Sequence, residues 1–150
     1  MRICFFGHAQ ANCSDEIKQQ LIDLLRDFAN SEDCEFWFGG YGRFDDLAYG
    51  CVGEVTSGFK IQRVFVTPYI TESYQKNQLE CKKYKYDCLI YPEIEKVPYR
   101  FAIVARNRWI VDQSDVVICY VNHLYGGAYN AVRHAKSHGK RIINLGSAQI

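Results

Sequence analysis

The stretch Val116-Val117-Ile118-Cys119-Tyr120-Val121, running into Asn122-His123-Leu124-Tyr125-Gly126-Gly127-Ala128-Tyr129-Asn130 and then a helix over 131–138, decides the fold class. Six apolar residues without alternation describe a strand covered on both faces, as in a parallel sheet held between two layers of helices. The glycine pair that follows is a strand-to-helix turn. Outward from this unit, β-prone runs recur at 2–6, 35–38, 61–67, 87–91, 115–121 and 141–145, most of them separated by stretches long enough for a helix. This alternation predicts an α/β fold with a doubly wound, mostly parallel sheet flanked by helices.

The intervening helices are legible to different degrees. Ile17, Leu21, Leu24, Leu25 and Phe28 fall three and four residues apart, giving an amphipathic helix over 14–28 that Ser14 is placed to cap. Residues 99–112 predict a second helix with Phe101, Ala102, Val104, Ala105, Trp109, Ile110 and Val111 as its apolar surface. The irregular segment 67–85 predicts a loop followed by a helix over 75–84.

A length of 150 residues suits one domain spanning 1–150. The apolar fraction of 48% and charged fraction of 23% are ordinary for a globular chain, and 3 prolines argue against long linkers. A net charge of +1 gives no field of the kind a dedicated nucleic-acid binder carries, so nucleic acid is not an expected partner. Lys82, Lys83 and Lys85 read as a solvated face. Met1 to Phe6 reads as a first strand and not a signal peptide, and no apolar run is long enough to cross a membrane. The seven cysteines are odd in number, form no C-x-x-C pair and sit partly inside apolar runs such as Ile3-Cys4-Phe5, which suits small hydrophobes in a reducing, cytoplasmic setting. His134 and His138 share a helix face, but no glutamate lies between them as in H-E-x-x-H, so neither a metal nor a cofactor is expected.

Four clusters carry the candidate chemistry. Phe38-Gly39-Gly40-Tyr41-Gly42-Arg43-Phe44-Asp45-Asp46 follows a strand and opens a helix, where unpaired N–H groups and the positive dipole end make an anion site that Arg43 would reinforce. The alternative is that the glycines only relieve strain in the turn. Gly126, Gly127, Ala128 and Asn130 repeat the arrangement, and in an open parallel sheet both turns would line one cleft at the carboxyl ends of the strands. Arg106 and Asn107 either face that ligand or, for Arg106, pair with Asp112 or Asp115 to hold the helix end. Gly7 and His8, with Gln10 nearby, end the first strand at the same sheet edge, where His8 contacts a base or ribose or makes only a local hydrogen bond. Tyr41, Tyr120, Tyr125 and Tyr129 are the candidates for stacking on a base. Asp45 and Asp46 stand at the mouth of the first turn as a catalytic carboxylate, as ribose ligands or as helix caps.

Together, the N-terminal G-H, G-G-Y-G-R-F-D-D-L-A at 39–48, R-N-x-x-I-V-D-x-S-D at 106–115 and G-G-A-Y-N-A at 126–131 resemble the SLOG superfamily. That group takes in the DprA/Smf DNA-processing proteins and the Lonely Guy (LOG) phosphoribohydrolases, and the similarity is greatest to its small YpsA-like branch. The resemblance covers nearly the whole chain. It implies a Rossmann-like fold and a nucleotide-type ligand held between the two glycine turns. LOG enzymes carry P-G-G-x-G-T-x-x-E, and here Tyr125 replaces the proline and Arg133 the catalytic glutamate, while Arg106 matches the arginine of the preceding helix. The resemblance therefore favours a binding, sensing or sequestering module, with an N-glycoside hydrolase or transferase acting through Asp45 or Asp46 as the alternative. Self-association is expected, with Trp109 and Phe101 available for an interface.

Overall fold

The structure, a computed structural model, describes residues 1–31, 33–56 and 62–150. All six expected strands are present: β1 (Arg2–Gly7), β2 (Glu35–Phe38), β3 (Gln62–Val66), β4 (Cys88–Ile90), β5 (Val116–Tyr120) and β6 (Arg141–Asn144). Position 61, the expected start of β3, lies outside the described residues. The strands form one sheet in the order β4-β3-β2-β1-β5-β6, and every pairing is parallel. The chain winds outward from β1 to β4, then returns to place β5 on the other side of β1. The strand order therefore reverses between β1 and β5, which puts the ligand crevice of an open sheet at their carboxyl ends.

The apolar strands are explained by the two layers they separate. Ile3, Phe5, Phe36 and Phe38 pack on one face with Leu21, Leu25, Phe44 and Val52 of α1 (Asp15–Ser31) and α2 (Arg43–Val55). The alternate residues Cys4, Phe6, Trp37 and Val64 pack on the other face with Ile110, Val111, Ala131 and Val132. Those four belong to two later helices, the α5 helix Ala102–Gln113 and the α6 helix Gly127–Ser137. Ser14 caps α1 as expected, its Oγ accepting from the Ile17 N–H at 3.3 Å. Leu21 and Leu25 are fully buried, so truncating either to alanine would cost about 2–5 kcal/mol.

Several boundaries differ from the sequence reading. Between β3 and β4 lies a continuous helical run made of α3 (Glu72–Tyr74), a π-helical turn (Gln75–Leu79) and α4 (Glu80–Lys85). The Thr71 side chain caps its start by accepting from the Tyr74 N–H. α6 begins at Gly127, four residues before the expected 131, because Gly126 already turns the chain as its N-cap. On α5 the apolar face is the expected one only in part: Ala102, Ile110 and Val111 are buried as expected, but Val104 and, in the 3-10 turn just before the helix, Phe101 are exposed, and Arg106 is buried between Ala102 and Ile110 on the inward face. Trp109 stacks on Trp37 at 5.5 Å between ring centroids, so of the two aromatics expected at an interface only Phe101 remains on the surface. All seven cysteines are free thiols, and burial pushes Cys4 and Cys119 up to about 12, which fits inert core residues. Among the described residues no helix is long and apolar enough to cross a membrane.

Candidate functional site

A cleft of about 820 Å³ opens at the carboxyl ends of the strands, where the order reverses. Its lining draws on the end of β1, the loop after β5, β3 and the loop that follows it, the two glycine turns, the 72–85 helical run and α5. Of the expected ligand residues, it contains Gly7, His8, Gly39, Gly40, Asp45, Arg106, Asn107, Gly126, Gly127 and Ala128, together with Gln10 and Tyr41. A second depression of about 870 Å³ lies at the opposite edge of the sheet. It brings together Asp33, Glu35, Asp87 and Asp115 with Arg2, an acidic lining unsuited to an anion.

The two turns share one backbone solution. Gly42 caps α2 at φ 95°, ψ 168°, and Gly126 caps α6 at φ 93°, ψ 176°, a region essentially reserved for glycine. Among the described residues no side chain caps either helix, which leaves first-turn N–H groups available to a ligand, except that the Arg43 N–H at the start of α2 already donates to the Ala9 carbonyl at 3.2 Å. Their surroundings differ. Around the first turn a Cβ on Gly40 would lie 2.4 Å from the Phe65 ring and 3.2 Å from Lys82 Nζ. Around the second, a Cβ on Gly127 would meet nothing within 4 Å, and both glycines are exposed.

Asp45 is the chemical centre of the first turn. It occupies the first turn of α2 but does not cap it. Only 5% of its surface is exposed, it lines the cleft, and among the described residues no donor reaches its Oδ2. Burial raises its pKa from the ordinary 3.8 to about 7, against the opposing pull of Arg106, the Gly40 N–H and Lys82. Asp46 is exposed and turns away, its Oδ1 3.6 Å from Lys85 Nζ. The two carboxylates that the sequence could not separate therefore stand in different surroundings.

Arg106 pairs with neither Asp112 nor Asp115. Its Nη1 donates to the carbonyls of Gly39 at 3.0 Å and Val66 at 2.7 Å, and its Nε donates to Asn107 Oδ1 at 2.9 Å. Burial lowers its pKa while Asp45 opposes the shift, and a guanidinium stays charged under such conditions. The side chain thus ties the first glycine turn to the end of β3 and leaves a fixed positive charge under the cleft. Asp115 orients a turn, accepting from the Arg2 N–H at 2.8 Å.

His8 makes a local bond: its Nε2 accepts from the N–H of Asn122 at 3.0 Å, linking the ends of β1 and β5. Its ring stacks on His123 at 3.5 Å, and His123 stacks on Tyr125 at 3.8 Å. Desolvation and the His123 neighbour lower the pKa of His8. Gly7 leaves room for packing: a Cβ there would lie 2.3 Å from Phe44 Cβ.

Five expected ligand residues stand outside the cleft lining for identifiable reasons. Phe44 is fully buried beneath Gly7, and Tyr120 is buried beside Phe44 at 6.0 Å. Arg43 and Asn130 are exposed on the outer sides of their helices. Gly42, also outside the lining, acts through its backbone, packed 3.0 Å from Ala9 Cα by its would-be Cβ. Tyr129 lies under Arg133, 5.8 Å from the guanidinium. Conversely, the lining includes residues the sequence did not single out: Tyr69, Tyr74, Gln78 and Ile103. Tyr69 stacks on Tyr99 at 4.4 Å. Lys82 also departs from the solvated-face expectation, for it is half-buried, reaches over the Phe65 ring at 5.1 Å and lines the cleft. Only the register of α4 against the first turn identifies it.

No protein-family model and no curated protein matches the sequence. Solved structures do share the fold. DNA processing protein A (DprA) from Helicobacter pylori, described for its single-stranded DNA binding mode, superposes with a TM-score of 0.66 at 19% identity, over 99% of this chain and 66% of that one. DprA from Streptococcus pneumoniae gives 0.68 at 15% identity, over 99% of this chain and 51% of that one. The molybdenum cofactor carrier protein of Chlamydomonas reinhardtii gives 0.59 at 14% identity, over 95% and 74%. The chain thus spans about half to two thirds of the DprA chains, and the resemblance seen in its motifs holds at the level of the fold. The similarity to DprA also corrects one expectation. A near-neutral net charge does not set nucleic acid aside as a partner, because a protein of this fold is described as binding single-stranded DNA.

Proposed function

Taking a SLOG-type Rossmann-like fold as given, we propose that residues 1–150 form a single nucleotide-binding domain that recognises a nucleotide or nucleotide-derived molecule in this cleft, as a sensing or sequestering module. The observation that carries the reading is the convergence of two uncapped, glycine-led helix N-termini on one cleft at the strand-order reversal. The charges agree with it: the lining holds Arg106 and Lys82 against one carboxyl group, Asp45, whose pKa is itself raised.

The asymmetry of the turns orients the ligand. A phosphate fits the second turn, which is open, has no acidic residue in the first turn of α6 and offers the N–H groups after Gly126. The first turn already holds the Asp45 carboxyl at its helix N-terminus, so it suits hydroxyl groups of a sugar, to which a carboxyl both donates and accepts. Tyr41, Tyr69 and Tyr74 supply aromatic faces for a base. A second reading is favoured by Asp45 alone: a cleft carboxyl titrating near 7 has the pKa of a general acid or base for cleaving an N-glycosidic bond.

Thermal-shift titrations against mononucleotides, dinucleotides, ADP-ribose derivatives and a short single-stranded oligonucleotide, with chromatography of each ligand afterwards, separate these readings. A stabilising ligand recovered intact supports the binding module. One recovered cleaved, with cleavage lost in Asp45→Asn, supports the enzyme, and stabilisation only by the oligonucleotide assigns the cleft to a DNA strand. No stabilisation by any of them contradicts a nucleotide site. Free cysteines fit a cytoplasmic setting, and exposed Phe101, Ile103 and Val104 beside the cleft give a face for self-association.

A further inference from the structure

At the sheet edge opposite the cleft, the last turns of α5 and α6 bring Asp112, His134 and His138 together. We propose that these three side chains form a binding site for a divalent transition metal of the zinc type, clamping α5 to α6. One ligand atom from each residue lies within 4.8 Å of the others, a spread that small side-chain rotations close onto a single ion. His134 and His138 are four residues apart on α6 and their rings lie 4.1 Å apart, so they present both imidazoles on one helix face. The glutamate of a hydrolytic H-E-x-x-H helix is missing. The third donor comes instead from the neighbouring helix, where Asp112 Oδ1 already lies 2.7 Å from His134 Nε2.

The outer contacts prepare the imidazoles for coordination. His138 Nδ1 lies 2.8 Å from the His134 carbonyl, an acceptor only, so Nδ1 carries the hydrogen and Nε2 presents its lone pair. Ser137 Oγ, 3.0 Å from the same Nδ1, holds the ring further. On binding, the ion takes the place of the proton between His134 Nε2 and Asp112 Oδ1, and that proton leaves to solvent. The C-terminal dipole end of α6 favours a cation at this position. Lys140 is the nearby competing charge, but its ammonium is engaged with the carbonyls of Asp112 and Ser114, both at 2.9 Å. Two imidazoles and one carboxylate suit zinc, nickel or copper over calcium or magnesium, and three protein ligands leave a fourth position to water.

The test is zinc and cobalt titration of the full chain, cleared of metal with a chelator, followed by calorimetry and by thermal melting. One zinc per chain is expected, with a rise in Tm, and cobalt is expected to give a visible spectrum without a sulfur-to-metal band. His138→Gln leaves the Asp112–His134 pair intact, so its unchanged melting without metal shows that the fold survives. It is expected to weaken zinc binding more than about tenfold, and His134→Gln likewise. Absence of a zinc-dependent shift in the wild type overturns the site. So does binding that both variants retain or that blocking the exposed thiols of Cys13 and Cys81 abolishes.

Discussion

The two glycine turns have nearly the same backbone and opposite surroundings. Gly42 and Gly126 differ by a few degrees in φ and ψ, and each starts a helix that no side chain caps among the described residues. Yet the first turn is crowded by Phe65, Lys82, Arg106 and the buried Asp45, while the second stands open. A helix N-terminus is a general anion site, and what specialises it is the set of side chains gathered around it. One turn is left as a bare cradle, and the other has been filled with charge that must be balanced.

That contrast is most exposed at Arg106. Arg106→Met would leave the carbonyls of Gly39 and Val66 without their shared donor in a buried place, and a loss of about 2–4 kcal/mol is expected in denaturant unfolding. A loss below about 1 kcal/mol would mean that the first turn is not braced from α5. Next in size is the paired alanine comparison. Gly40→Ala places a Cβ 2.4 Å from Phe65 at a φ of 72° and should cost about 1–3 kcal/mol. Gly127→Ala meets nothing within 4 Å and should stay within about 0.5 kcal/mol of wild type. Equal costs would erase the distinction between the turns.

Asp45 gives the contrast a pH dependence. Its folded pKa, about 7, exceeds the ordinary 3.8, so the folded chain binds this proton more tightly than the unfolded chain. The contribution of the group to stability is therefore unpenalised below about pH 4, falls as the pH rises to about 7 and levels off above that. Asp45→Asn removes the penalty. Melting curves should show the variant more stable than wild type at pH 8, with the difference shrinking toward pH 5. The smallest effect is expected for Asp46→Asn, which loses an exposed ion pair with Lys85 together with a like-charge push on Asp45, and should shift stability by less than about 0.5 kcal/mol at either pH. A similar pH response in both variants would deny Asp45 its special place.

The comparison also shows what the chain made legible. Apolar runs such as Val116 to Val121 announce the parallel sheet because both faces of each strand are covered, so no alternation blurs the pattern. The glycine turns were readable because a φ near 95° admits little but glycine. α5 was readable as a helix and Ala102, Ile110 and Val111 as inward residues, but not the burial of Arg106 beside them or the exposure of Val104, since a buried guanidinium depends on the carbonyls of Gly39 and Val66 that other elements bring to it. Lys82, Tyr69 and Tyr74 were not legible as site residues because they reach the cleft only through the loop after β3 and the placement of the 72–85 helical run beside the first turn. Asp45 and Asp46 are adjacent and chemically alike, and only the direction of α2 against the sheet buries one and exposes the other.

The division of labour between the two turns is read most directly by titrating inorganic phosphate, and then a nucleoside 5′-monophosphate, while following the backbone amide NMR signals. Phosphate alone is expected to move the amides of Gly127 and Ala128, and the nucleotide to move these together with Gly39, Gly40 and Asn107. Phosphate-induced shifts centred on Gly40 to Asp45, with the second turn unmoved, would contradict that division.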